Sequence, residues 1–397
     1  MIIRRMKNGL SLLCALTLML ALQAMAAPAQ RFSFAGGTGD REDPYQIETV
    51  EQLQAIGENL SASYVLIADI DAGSVEAWQP IGTLVPIDEE GETPNPEYAF
   101  TGTFDGGGHV ISNLNAVGTD MLGGLFGVVA DAEISNVTFE NLEVEGTVMV
   151  GAIGYAYHST IDNVDVCKAE VRGIDGTATL ESPANMLAAL VGASMDSTYV
   201  NCDVSDATVT VEGNPNAEAV FYSAHDCGIL GGGFEGCSMS DCTVSDSSIA
   251  VNGDYCFGIG GMNGCLMTGD YYRNCEISNV SVTVGNWADL TGGAVGYTGN
   301  MNGAVTDVAN VMTAGVTVRV GDNSYRVGGL IGGSFYYDAF AEYIPTPTVF
   351  SLTNCATDGA VEAGENSTAV GAVIGYAYQL ESKNVTTTME IMPIGQE

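Results

Sequence analysis

Histidine is almost missing from this 397-residue chain, which has His109, His158 and His225 and no others. No HExxH, HxxxH or CxxC spacing occurs, so the zinc and thioredoxin-like centres built on those spacings are not expected. No serine sits in a nucleophile-elbow pattern. Basic residues are also scarce, 11 Lys and Arg against 49 Asp and Glu. Such a surface repels phosphate backbones and anionic lipids, so nucleic-acid and membrane-surface partners are not expected. Aromatics make up only 8% of the residues. Helical periodicity is absent from most of the chain, and no apolar run of about 18 residues follows the N-terminus. High negative charge can signal disorder, but 46% hydrophobic residues with β-type alternation exclude that.

What is present begins with an export signal. Arg4, Arg5 and Lys7 precede an apolar run from Leu10 to Leu22, and Ala24-Met25-Ala26 supplies the small residues of a cleavage site. Residues 1–26 read as a signal peptide, which places the mature chain outside the cell or at its surface. Cys14 follows two leucines, which does not suit lipoprotein anchoring. Removal of the signal leaves 8 basic residues against 49 acidic, a net charge near −41.

Glycine dominates the remainder. A glycine-marked strand recurs as GGLFG, VGAIG, AALVG, GILG, GIGG, GGAVG, GGLIG and GAVIG, ending at Gly127, Gly154, Gly192, Gly231, Gly261, Gly296, Gly332 and Gly375. The intervals run from 27 to 43 residues, so one unit repeats with insertions. After each glycine strand comes a second motif, from which two columns are read. One holds Asn136, Asn163, Asn201, Asp241, Asn274, Asp307, Asn354 and Asn384. The next holds Val137, Val164, Cys202, Cys242, Cys275, Val308, Cys355 and Val385. Alternating strands such as LEVEG, AEVRG and SIAVNG follow.

Strands that repeat without hairpin turns or crossover helices stack parallel as the coils of a solenoid. The expected fold is all-β: a single-stranded, right-handed parallel β-helix with three strands and three corners in its shortest unit. The Val/Cys column faces inward, since both are small hydrophobes. The Asn/Asp column belongs at a corner, where αL backbone suits it and its side chains bond from coil to coil. One short helix is expected from Thr49 to Asn59, with a Thr49/Gln52 capping box and Val50, Leu53, Ile56 and Leu60 on one face. It acts as a lid in an N-terminal cap region over 27–116, which also contains the first coils; repeats fill 117–397. Inserts at 84–97, 174–186, 214–226 and 335–348 project as loops.

Several features remain as candidate chemistry. Among nine cysteines in the mature chain, Cys227 aligns with Cys256, Cys237 with Cys265, and Cys202 with Cys242 and Cys275. Buried thiol ladders and bridges between adjacent coils both fit this alignment. GGTGD at 36–40 and GIGGMNG at 258–264 mimic calcium and dinucleotide loops but read as solenoid turns. Asp69-Ile70-Asp71 and Asp88-Glu89-Glu90 offer weak calcium binding at most, and no other cofactor is expected. Tyr336, Tyr337 and Tyr343 in the late insert form a candidate binding patch for a sugar or a protein.

The stretch AGGTGDREDPYQIETVEQLQAI, then YVLIADID, WQPIG and GTFDGGGHVISNL, followed by the GGLFG and GGLIG strands, resembles bacterial surface proteins carrying the GLUG motif. The resemblance runs from about Phe34 to the C-terminus. It implies a pectate-lyase-like β-helix on an exported, adhesin-like protein. Some IgA-specific metalloendopeptidases carry similar repeats outside a catalytic part that needs HExxH; this chain has no such motif. No LPxTG-type tail or surface-layer repeat is present. The reading is therefore a non-catalytic secreted or cell-surface β-helix for adhesion or display, with a cell-surface or host glycan or protein as partner. The alternatives are a polysaccharide-active β-helix enzyme and a fragment of a larger exoprotein.

Overall fold

Asparagine is the side chain that best tolerates left-handed backbone after glycine, because its short amide can hydrogen-bond locally. In the computed structural model of the protein, this preference sets the shape of every coil. The structure describes residues 33–83, 94–117, 122–174, 186–212, 224–267, 271–300, 306–336, 350–377 and 379–394. The signal segment and the tips of the four inserts lie outside the described residues.

The chain is a parallel β-helix. One coil runs Gly231–Glu235, Ser238–Ser240, Thr243–Ser245, Ser248–Asn252 and Cys256–Gly260. It has five short sides rather than the three read from the sequence. The reason is the corners at Asp241 and Asp246, which hold φ of 58° and 48°. An αL residue every five positions turns the chain without ending the ladder, and inward positions then fall at spacings of two and three in turn. In the second repeat the turns are His158, Asn163 and Lys168, within one continuous strand from Thr160 to Gly173 for the last two. Period-two reading of strands such as SIAVNG sees only the fourth side of each coil.

Stacking is parallel throughout. The first sides form an eight-stranded sheet from Phe126–Ala130 to Ile374–Ala377, and the fifth sides a five-stranded sheet from Ala224–Cys227 to Thr368–Gly371. In the first coils a separate three-stranded sheet forms from Leu122–Gly123, Met149–Val150 and Met186–Leu187, and the other sides join in a continuous 25-stranded sheet. Inward columns are uniform: Val144, Val171, Val209, Ile249, Val282, Val318 and Val361 pair in register and are buried.

The glycine column needs two shifts of register. Pairing of Val191 with Gly231, and of Gly231 with Asn263, puts Gly232 and Gly264 beside Gly192, in place of Gly231 and Gly261. The full column is then Gly127, Gly154, Gly192, Gly232, Gly264, Gly296, Gly332 and Gly375. None of these has positive φ; the requirement is space. A Cβ on Gly232 would lie 2.1 Å from the Gly192 carbonyl oxygen, and one on Gly296 would lie 2.4 Å from that of Gly264.

The N-terminal end is closed. Helix α1 (Val50–Gln54) continues into a 3₁₀ turn at Ala55–Glu58, and Thr49 and Gln52 form the capping box. Leu53 and Ile56 are buried. Rings of Phe34, Tyr45, Tyr64, Phe100 and Phe126 run in contact from this lid into the first coils.

Candidate functional site

Corner residues define the outer architecture. Asn163 donates to Asn136 at 3.0 Å, Asn354 to Asn310 at 3.1 Å, and Asn384 to Asn354 at 2.9 Å, each amide bonding to the coil before it. Asn274 donates to Asp241 at 3.1 Å and Asn310 to Asn274 at 2.8 Å. Asn201 deviates, reaching Asp162 at 3.4 Å.

Asp307 does not belong to this ladder, nor Val308 to the Val/Cys column. Asp307 lies in a strand opposite Tyr271, and Val308 is buried beside Tyr272. Their places are taken by Asn310, with φ 55°, and Val311. The sequence VTDVANV offers an acid or amide followed by valine twice, three residues apart. Only pairing of Met312 with Glu276 and Ala356 selects the second.

A second ladder, five residues further on, was not legible. Asn113 donates to Asp71 at 2.9 Å, Asn141 to Asn113 at 3.1 Å, and Asn279 to Asp246 at 3.0 Å. Lys168, Asp206 and Gly315 occupy other corners of the same column, and their mixed chemistry hides it. Its acidic positions among αL corners were the available signal.

Beside this second ladder runs a groove of about 630 Å³. One wall is Gly73, Val75 and Glu76; the other carries Asn113, Asn141, Lys168 and Asp206. Its floor is a row of outward side chains, Asn115, Glu143, Glu170 and Thr208, each paired with the next coil. Lys168 Nζ lies 2.8 Å from Glu140 Oε1, and Arg172 pairs with Glu170 at 2.8 Å. Four carboxylates against one lysine along the lining make the groove acidic, suited to neutral or cationic polar ligands.

The candidate calcium carboxylates serve the coils. Asp69 accepts from the Val110 N–H at 3.1 Å and lies 3.0 Å from His109 Nδ1; these contacts hold it below the ordinary carboxylate range. Asp71 is lowered by the Asn113 amide and the Gly73 N–H. Asp88, Glu89 and Glu90 lie outside the described residues, as do Tyr337 and Tyr343. Tyr336 ends the strand Ile331–Tyr336. Among the described residues no three His, Cys, Asp or Glu side chains converge as a metal set. His158 sits between Asp131 and Asp196 at 3.7 and 3.3 Å, and His225 lies 3.1 Å from Asp226, so the three histidines occupy separate places. The segment 258–264 is the corner between a fifth and a first side.

All nine described cysteines are unbridged. Cys202, Cys242 and Cys275 stack in one buried column, as the neighbouring pairs Asp203–Thr243 and Thr243–Glu276 fix. Their thiols donate to the carbonyls two residues earlier, at 3.4, 3.3 and 3.3 Å. Hydrogen bonding with the Cys242 thiol, then burial, pushes Cys202 well above the ordinary thiol range. The other alignments fail by register. Cys256 pairs with Ala224, and Cys227 with Ile259; Cys265 pairs with Gly233 and Tyr297, while Cys237 precedes the next side.

No family model matches the chain. Over 170 residues, 41% of its length, it is 32% identical to halomucin of Haloquadratum walsbyi and covers 2% of that protein. Over 166 residues it is 30% identical to a candidate Gly-rich membrane protein of Evansella cellulosilytica, covering 39% of this chain and 18% of that one. A solved structure of a candidate immunoglobulin A1 protease from Bacteroides ovatus aligns over 91% of this chain and 80% of that chain, with 17% identity and a TM-score of 0.42. The chain thus spans a small part of the two relatives it matches in sequence, and a β-helix with an acidic groove is what its own geometry establishes.

Proposed function

We propose that the protein is a non-catalytic, exported β-helix of the GLUG type, displayed at the cell surface for adhesion or ligand binding. The observation that carries this reading is the groove beside the second ladder: a row of polar side chains repeats from coil to coil along its floor, as a binding surface for an extended polar ligand requires. The corner amides and carboxylates around it are engaged in holding coils together. Export is supported by the signal-like start at 1–26 and by relatives named halomucin and a Gly-rich membrane protein.

Binding of the mature chain to immobilised glycans and host matrix proteins tests this. Glu143→Gln with Thr208→Ala should weaken the interaction at least tenfold without changing the melting temperature. Multiple-turnover release of reducing ends from a polysaccharide would instead establish the second reading, a glycoside hydrolase. One observation favours it: Glu143 and Glu170 stand opposite each other on adjacent strands. Their backbones lie one strand spacing apart, about 4.8 Å, which places two carboxylates side by side as glycoside hydrolysis requires.

A further inference from the structure

Among the described residues, the corner before the fifth side is a fourth αL column. It holds Tyr255, Trp287, Asn323 and Asn366, at φ 58°, 57°, 57° and 59°. Their backbones are interchangeable: Tyr255 donates its N–H to the Asn286 carbonyl at 2.9 Å, Trp287 to that of Asp322 at 2.9 Å, and Asn323 to that of Glu365 at 2.8 Å. The coil stack therefore imposes the αL conformation whatever side chain is present. Asparagine meets that demand in two coils. In the other two the position carries a large ring, for which this backbone region is sterically unfavourable.

The rings do not contribute to the solenoid core. Trp287 is 47% exposed, whereas Trp78, the only other tryptophan, is 2% exposed. The Tyr255 and Trp287 rings lie 5.7 Å apart and within 12° of parallel, one coil from each other. One residue before them runs a polar row: the Asn286 N–H donates to Asp254 Oδ1 at 2.9 Å, and the Asp322 N–H to Asn286 Oδ1 at 2.8 Å. Aligned strain, with the exposed Trp287 ring stacked on a half-buried Tyr255, marks this corner as a place kept for binding rather than for folding.

We infer that Tyr255 and Trp287 form a stacking site for a neutral pyranose glycan. A pyranose ring has a C–H face that packs on an aromatic ring and hydroxyls at its rim that hydrogen-bond; the ring pair supplies the first partner and the Asp254–Asn286–Asp322 row the second. The net charge of −38 rejects uronate-rich and sulfated chains, leaving neutral ones. The inference rests on the reading of the protein as a binding module and adds a site away from the groove.

The two tryptophans make the test direct. Mature full-length protein is titrated with soluble cello-, chito- and manno-oligosaccharides, with polygalacturonate as the acidic control, and Trp fluorescence and acrylamide quenching are followed. A saturable blue shift with at least one neutral series and none with polygalacturonate is expected. Trp287→Asn and Tyr255→Asn restore the side chain found in the neighbouring coils, so both variants should fold and melt at or above the wild-type temperature. Each should lower affinity at least tenfold, and Trp287→Asn should abolish the shift. No response to any neutral series, or undiminished binding by both variants in a pull-down, overturns the inference. Undiminished binding that is lost in the Glu143→Gln, Thr208→Ala protein would leave the binding-module reading intact. Binding to a protein ligand through Trp287, with no glycan response, would also overturn it.

Discussion

At the scale of single residues, the αL corners decide which substitutions matter. Asn310 combines a left-handed backbone with two amide bonds, accepting from Asn354 and donating to Asn274. Asp307, three residues earlier, accepts a surface ion pair from Arg273 at 2.7 Å. Asn310→Leu should therefore cost about 2–3 kcal/mol from αL strain and the broken ladder, and Asp307→Leu less than about 1 kcal/mol. Urea unfolding of the two variants measures the difference, and equal costs would contradict the observed register. A second residue works against the fold. Asn263 is fully buried in the inward column between Gly231 and Val295, and among the described residues neither side-chain amide atom has a hydrogen-bond partner. Asn263→Val copies the next coil and should stabilise the protein by about 1–3 kcal/mol. A lower urea midpoint would show that the amide is satisfied.

At the scale of the element, the thiol column behaves as part of an aliphatic core. Cys202, Cys242 and Cys275 share their column with Val137, Val164 and Val311, and hydrogen bonding along the column together with burial holds Cys202 and Cys242 above the ordinary thiol range. Thiolate is the reactive form, so an aromatic disulfide reagent should label only half-buried Cys167 rapidly in the folded, mature protein. After denaturation without reductant it should label nine thiols. Fewer than nine would reveal bridges between coils. Cys242→Val should cost less than about 1.5 kcal/mol, as volume-conserving core changes do. Glycine in the neighbouring column has the opposite tolerance, because a Cβ on Gly264 would lie 2.2 Å from the Asp226 backbone.

At the scale of the whole molecule, acidity and end structure dominate. Asp69, Asp71 and Asp358 are held below the ordinary carboxylate range; for Asp358 the causes are the Thr388 hydroxyl and the Gly315 N–H. Their folded values lie below the unfolded value of about 3.9, so their contribution is complete above that pH and is lost as pH falls below it. Burial pushes Asp165 the other way, so its unfavourable contribution fades as pH falls through its raised value. Self-repulsion at a net charge of −38 is relieved by salt and by protonation. The melting temperature should rise with added salt at pH 7, rise modestly from pH 7 to about 5, and turn downward below about pH 3.9. Scanning calorimetry across pH checks this, and a steady fall from pH 7 downward would refute it. A helix and an aromatic stack close the first coils.

The repeat, the inward valines and cysteines, the corner asparagines and the capped helix at Thr49 are all legible in the order of the amino acids. These follow from local chemistry: hydrophobic alternation, the αL tolerance of Asn, and a capping box are each contained within a few residues. Register, by contrast, is set only where coils stack. Gly232 over Gly231, Asn310 over Asp307, and the partners of Cys227 and Cys265 depend on which backbone hydrogen bonds form with the coil before and the coil after. A glycine pair or two amide-like residues three positions apart satisfy the local pattern equally well, and the neighbouring coil breaks the tie. The groove and the Tyr255–Trp287 corner come from the same source, since each is assembled from residues 27 to 38 positions apart that meet only when coils stack.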